Sequence, residues 1–258
     1  MSHYRATVAY DGTDFLGFQL QAAGRTVQGT LEAALLQLSG AETRVIGSGR
    51  TDAGVHAAGQ VVGFRAEWRH TTADLHRALN AVLSPDIAVV ELDEAPEEWH
   101  PRFSAKWRHY RYTVHNAAWR SPLTRRYALH VGQPLRLDEL QAAARVFVGQ
   151  HDFASFGRPM QDGESTVRMV YRSGWRQEGE TLTYDVIGNA FLRGMVRSLV
   201  GSILSVGLGQ MTVEGLRETL DARDRSLAAP PAAACGLCLM RVEYDVPQGS
   251  ACKRTCEG

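Results

Sequence analysis

Gly49-Arg50-Thr51-Asp52-Ala53-Gly54-Val55-His56-Ala57 sets one acid and one strong base in a glycine-punctuated loop. Val45-Ile46 leads into it and Gln60-Val61-Val62-Gly63-Phe64 leads out, two apolar runs that read as strands. The stretch is therefore strand, loop, strand, and the loop carries whatever chemistry the segment has. Asp52 stands two residues after Arg50 among small neighbours, which leaves its carboxylate reachable. Residue types alone allow two readings. In one, Asp52 caps a turn of a hairpin loop and Arg50 faces water. In the other, the loop is built around the carboxylate as a functional site.

Working outward, residues 4–10 read as a strand, Val27 to Leu38 as an amphipathic helix, and Thr72 to Leu83 as a second helix that Thr71 or Thr72 caps. Ile87 to Leu92 read as a strand. The order β-α-β-loop-β-α-β is the split βαβ pattern of a ferredoxin-like unit. It then recurs: strand Lys106 to His115, helix Leu137 to Val148, strands Arg168 to Trp175 and Leu182 to Gly188, helices Phe191 to Val206 and Val213 to Leu220, strand Cys238 to Tyr244. The fold class expected is α+β: two ferredoxin-like halves whose antiparallel sheets form one continuous sheet around a central catalytic cleft. The halves are expected over 1–105, carrying the Asp52 loop, and 106–246, with a disordered tail over 247–258. Neither Gly-x-x-x-x-Gly-Lys nor Gly-x-Gly-x-x-Gly occurs, so nucleotide-cofactor readings have no footing.

The 258 residues suffice for a sizeable core. No apolar run reaches the roughly 18 residues of a membrane span, and the N-terminus has no signal-peptide pattern. A cytoplasmic protein without membrane contact is expected. Formal net charge is zero, yet all but Lys106 and Lys253 of the 28 basic residues are arginines. Arginine suits phosphate and base stacking, although an Arg-rich genome explains the bias equally well. Any RNA site must then be a local positive cleft, balanced by acidic surface such as Glu91 to Glu98. Cys235, Cys238, Cys252 and Cys256 loosely resemble a zinc pattern. Positions three apart on a strand face opposite ways, however, so Cys235 and Cys238 read as core or loop thiols and no metal site is expected.

Gly-Arg-Thr-Asp-Ala-Gly-Val-His at 49–56 resembles the signature of the tRNA pseudouridine synthase A family. The resemblance extends through Val8-Ala9-Tyr10-Asp11-Gly12, Arg25-Thr26-Val27-Gln28-Gly29, Pro101-Arg102-Phe103-Ser104-Ala105, Tyr110-Arg111-Tyr112, His151-Asp152-Phe153, Met195-Val196-Arg197 and Ala228-Ala229-Pro230, in family order over nearly the whole chain. It implies an isomerase that cleaves the bond from ribose C1′ to uracil N1, turns the base, and rejoins it through C5. The chemistry consumes neither water nor electrons, so no cofactor is expected. By resemblance Asp52 is the catalytic carboxylate. It either attacks C1′ to give a covalent adduct or abstracts the ribose 2′ proton to give a glycal, and both routes need it ionised by an adjacent cation.

Arg197 is the candidate cation. On a helical wheel over 191–206 it lies at the margin of the apolar face made by Leu192, Val196, Leu199, Val200 and Ile203, one turn from Arg193. Gly194, Ser198, Gly201 and Ser205 line another side and suit close packing on a sheet. Strand alternation groups Lys106, Arg108, Tyr110 and Tyr112 on one face, which suits stacking a base and holding a phosphate, or a half-buried aromatic core. The resemblance makes Tyr110 the residue that stacks on the target uracil and handles the proton at C5, and Tyr112 structural. It makes Arg50 a contact to RNA backbone that keeps the nucleotide flipped. His56 reads as a local hydrogen-bonding residue.

The substrate implied is the tRNA anticodon stem-loop at one or more of positions 38, 39 and 40, bound across a homodimer. Val146-Phe147-Val148 and Phe153 to Phe156 offer apolar surface for that dimer, or core. Two alternatives stand beside the synthase: a catalytically weak tRNA-binding chaperone, and a glycosidase-like hydrolase, which would want a second carboxylate such as Asp11 or Asp14.

Overall fold

The computed structural model describes residues 1–159 and 163–244; the tail, with Cys252 and Cys256, lies outside the described residues. In the first half, β1 (Ser2–Tyr10), α1 (Val27–Ser39), β2 (Ile46–Gly47), β3 (His56–Ala66), α2 (Thr72–Val82) and β4 (Ile87–Glu94) follow one another. The second half comprises β5 (Trp107–Asn116), β6 (Leu129–Val131), α3 (Leu137–Arg145), β7 (Gly149–Asp152), β8 (Val167–Glu178), β9 (Thr181–Gly188), α4 (Met195–Gly207), α5 (Val213–Ala222) and β10 (Leu237–Glu243). Local chemistry sets the helix starts. Thr26 and Thr212 cap α1 and α5 through their side chains, and Thr71 caps α2 in a reciprocal box with Asp74.

The strands form one sheet in the order β4-β1-β3-β10-β5-β9-β8-β7, with β2 on β3 and β6 on β5. Within each half the order is fourth, first, third, second strand, as a ferredoxin-like unit requires. Two pairings depart from the antiparallel expectation: β10 with β3 and β5 with β6 are parallel. The first of these is the joint of the molecule. The short β2 covers only Val62 and Gly63 of β3, which frees His56 and Ala57 to pair with Cys238 and Leu239 of β10. Gly59 permits the approach, because a Cβ there would lie 2.5 Å from the Met240 carbonyl oxygen.

Two apolar cores lie against the sheet. One gathers Tyr4, Val8, Phe15, Leu35, Phe64 and Leu79; the other gathers Tyr112, Phe147, Phe153, Tyr184, Leu199 and Leu216. The halves exchange side chains at the joint. Leu239 and Val242 of β10 pack into the first core, Val55 packs into the second, and Tyr110 touches both. Each such fully buried side chain contributes about 1.5–3 kcal/mol.

Several expectations change. Helix α4 begins at Met195 rather than Phe191, because Gly194 takes a left-handed φ of 71° and breaks the run. Its small-residue side packs not on the sheet but on an extended segment: a Cβ at Gly201 would lie 2.1 Å from the Pro230 carbonyl oxygen, and Ala229 N donates to Ser202 Oγ. Val146, Phe147, Phe153 and Phe156 are core of the second half, and of these segments' large apolar side chains only Val148 is exposed. Strands β6 and β7, short and partly polar, were not anticipated. Among the described residues, no helix is long and apolar enough to cross a membrane.

Candidate active site

The Asp52 loop is pinned on both sides of the carboxylate. Ser48 N donates to Val61 O, Ser48 Oγ donates to Gln60 Oε1 at 2.7 Å, and Gln60 Nε2 donates to Gly49 O. The buried hydroxyls of Tyr10 and Thr51 meet at 2.8 Å, and Phe18 N donates to Thr51 O. Asp52 to Val55 then close a turn through Val55 N to Asp52 O, with Gly54 at a φ of 77° in its third position. The backbone of this loop leaves the carboxylate free: no N–H among the described residues caps it. Of the two readings of the loop, the cap is not what forms.

Instead Asp52 meets Arg197, whose Nη1 donates to Asp52 Oδ2 at 3.3 Å. The pair is half-buried, with side chains 32% and 24% exposed. Arg197 is aimed by the second half: its Nε donates to Ala232 O at 2.8 Å while Ala232 N donates to Arg197 O. The close packing of Gly201 on the Pro230 segment thus places the carbonyl that orients the cation.

Tyr110 lies close to this pair. Its ring meets Phe191 edge to face at 5.2 Å. Burial pushes the phenol up to about 12, with Arg108 opposing and Asp52 adding to the shift. The ring is therefore a neutral, half-covered stacking surface at ordinary pH. Tyr112 is wholly buried and donates to Ala233 O at 2.8 Å, a structural role.

The cations expected to hold phosphate separate into two kinds. Arg50 and Lys106 are exposed, and neither side chain is engaged by another described residue. Arg108 departs from expectation. Its guanidinium donates to four main-chain carbonyls, those of Ala105, Asn189, Ser48 and Arg102. It ties the Asp52 loop to β9 and to the segment before β5 rather than standing open to a phosphate.

His56 also departs, since its partners are remote. Nδ1 faces Gly12 N at 3.0 Å and so accepts, which leaves Nε2 to donate to Arg126 O at 2.8 Å. Gln60, read only as the start of a strand, is the buried brace of the loop. Among the described residues no group of three His, Cys, Asp or Glu could hold a metal ion. Cys235 and Cys238 carry thiols pushed up by burial, to about 11 for Cys238. A groove of about 720 Å³ between α1 and the loop before β4 contains none of these site residues.

A family model described as tRNA pseudouridine synthase matches residues 6–104 and 143–245. Fold and site together thus define a pseudouridine synthase, an isomerase. The chain is 42% identical over 248 residues to tRNA pseudouridine synthase A of Geobacter sp. (strain M21), covering 95% of this chain and 99% of that protein. It is 41% identical over 242 residues to tRNA pseudouridine synthase A of Geobacillus sp. (strain WCH70), covering 93% and 98%. With tRNA pseudouridine synthase A of Roseiflexus castenholzii it shares 44% identity over 250 residues, covering 95% and 91%. The chain belongs to the tRNA pseudouridine synthase A family.

Proposed function

We propose that this chain isomerises uridine to pseudouridine at one or more of positions 38, 39 and 40 of the tRNA anticodon stem-loop, acting in the cytoplasm as a homodimer, with Asp52 as the catalytic carboxylate. The observation that carries the reading is the half-buried Asp52–Arg197 pair at 3.3 Å, beside the Tyr110 ring, with the carboxylate still partly open to solvent. The carboxylate has a fixed countercharge and no backbone cap, so one oxygen remains for chemistry. Asp52 initiates cleavage of C1′–N1, by attack at C1′ or by removal of the 2′ proton. The freed uracil turns against Tyr110, C1′–C5 forms, C5 loses its proton, and N1 gains one. Atoms and charge balance with no other reactant.

Openness is what such a substrate demands, because a nucleotide inside RNA must leave its stack to reach the carboxylate. Arg50, exposed two residues before Asp52, contacts the backbone of the flipped nucleotide, and Lys106 adds a second cation. Tritium release from unmodified tRNA labelled at uracil C5 tests the reading. Wild type releases tritium; Asp52→Asn binds the same tRNA and loses release by at least about a thousandfold. Binding without release by the wild type leaves an RNA-binding protein and ends the enzyme reading.

A further inference from the structure

Arg158 and Arg193 form an isolated antiparallel bridge outside the named strands, with Arg193 N donating to Arg158 O at 2.9 Å and Arg158 N to Arg193 O at 3.3 Å. Residues paired this way stand about 5.5 Å apart at Cα and project side chains to the same side. Both arginines are exposed, and among the described residues neither guanidinium has a carboxylate partner. Like charges set directly opposite each other oppose folding. Stability therefore does not account for the pair.

Position does. Phe191 meets the Tyr110 ring and Arg197 meets Asp52, so Arg193 falls between two residues that build the site. Arg158 is brought against it by Gly157, where a Cβ would lie 2.5 Å from Leu192 Cβ. Helix α4 starts at Met195, just beyond the bridge, and no side chain caps its first turn. The helix N-terminus adds partial positive charge to the two guanidiniums.

We propose that Arg158 and Arg193 form a clamp for one phosphodiester of the bound RNA, next to the nucleotide presented to Asp52. The proposal rests on the RNA reading above. Two planar forks facing one phosphate offer paired charge-assisted hydrogen bonds, and occupation removes the repulsion between them.

The test is the affinity for an unmodified tRNA transcript as a function of NaCl, for wild type, Arg158→Ala/Arg193→Ala and Arg158→Lys/Arg193→Lys. One lost phosphate contact lowers the magnitude of the log–log salt slope by roughly 1. The alanine pair is expected to show that loss, with affinity at low salt down about tenfold, while the lysine pair keeps the slope. The alanine pair's melting temperature should equal or exceed that of wild type. If the alanine pair does not fold, Arg193→Gln alone carries the same measurement. Slope and affinity unchanged from wild type would overturn the clamp. A wild type that releases tritium while the alanine pair keeps its slope defeats the clamp alone. A wild type that binds tRNA without release defeats the synthase reading and leaves the salt comparison intact.

Discussion

The two halves share one strand order, yet they treat the same connection in opposite ways. Between β2 and β3 the first half runs through residues 48–55, the pinned loop that presents Asp52. At the equivalent place the second half joins β8 to β9 through Gly179 and Glu180 alone, with Gly179 at a φ of 58°. The equivalent helices differ in the reverse sense. Helix α2 buries only Leu75 and Leu79, whereas α4 is buried on nearly every side and carries Arg197. One unit of fold is thus used for its loop and the other for its helix. A carboxylate on a loop needs a rigid cation, and a helix packed between a sheet and the Pro230 segment provides one.

If that division is right, disturbing the helix should silence the loop. Arg197→Met leaves Asp52 without its cation and is expected to slow tritium release about 10²–10³-fold while tRNA binding persists; a rate near wild type would break the comparison. A smaller contrast concerns acid stability. In the second half burial works to raise the pKa of Asp185, but hydrogen bonds from His109 and Arg111 overrule it and hold it at about 2. In the first half Arg25 holds Asp86 at about 2 as well. Both folded values lie below the unfolded value of about 3.9. Their stabilisation is thus complete above pH ~4 and fades as pH falls towards 2. Asp185 is the more enclosed, its side chain 10% exposed against 27% for Asp86. Asp185→Asn should therefore lower stability by about 2 kcal/mol at neutral pH. It should also flatten the acid limb of the stability–pH curve about as much as Asp86→Asn does, because the two folded values are alike. Equal losses of stability at neutral pH would show that the two carboxylates are solvated alike. The smallest effect belongs to the tight turn. Gly179→Ala meets open space and only the strain of a positive φ, about 1 kcal/mol. A fall of a few degrees in melting temperature with unaltered isomerisation would mark this connection as passive.

Much of this was readable in the chain because periodicity and caps agree. The threonines at 71 and 72 before the α2 pattern, the strand pattern of β1 and the apolar face of α4 each point to one type of local structure. What escaped depends on distant partners or on a single dihedral. The start of α4 was misplaced because Phe191-Leu192 continue the apolar pattern and only the left-handed Gly194 interrupts it. Arg108 resembled a phosphate ligand because nothing local reveals that four carbonyls from separate segments converge on it. The small-residue side of α4 suited a sheet as well as it suits the Pro230 segment. The meeting of Asp52 with Arg197 was legible through the family resemblance and helix position together, not through either residue's own surroundings. The Arg158–Arg193 bridge lies in irregular segments that no periodicity marks.

The joint between β3 and β10 also bears on how the protein is made. N-terminal segments leave the ribosome and begin to fold first. The early half then holds Asp52 in its loop but lacks Leu239 and Val242 in its core, and a strand partner for His56 and Ala57. Arg197 is still to be placed by the chain around Ala232. An interrupted translation product that lacks β10 consequently presents an open strand edge at His56 and Ala57 to proteases and chaperones. The last strand among the described residues is the one that closes the joint between the halves.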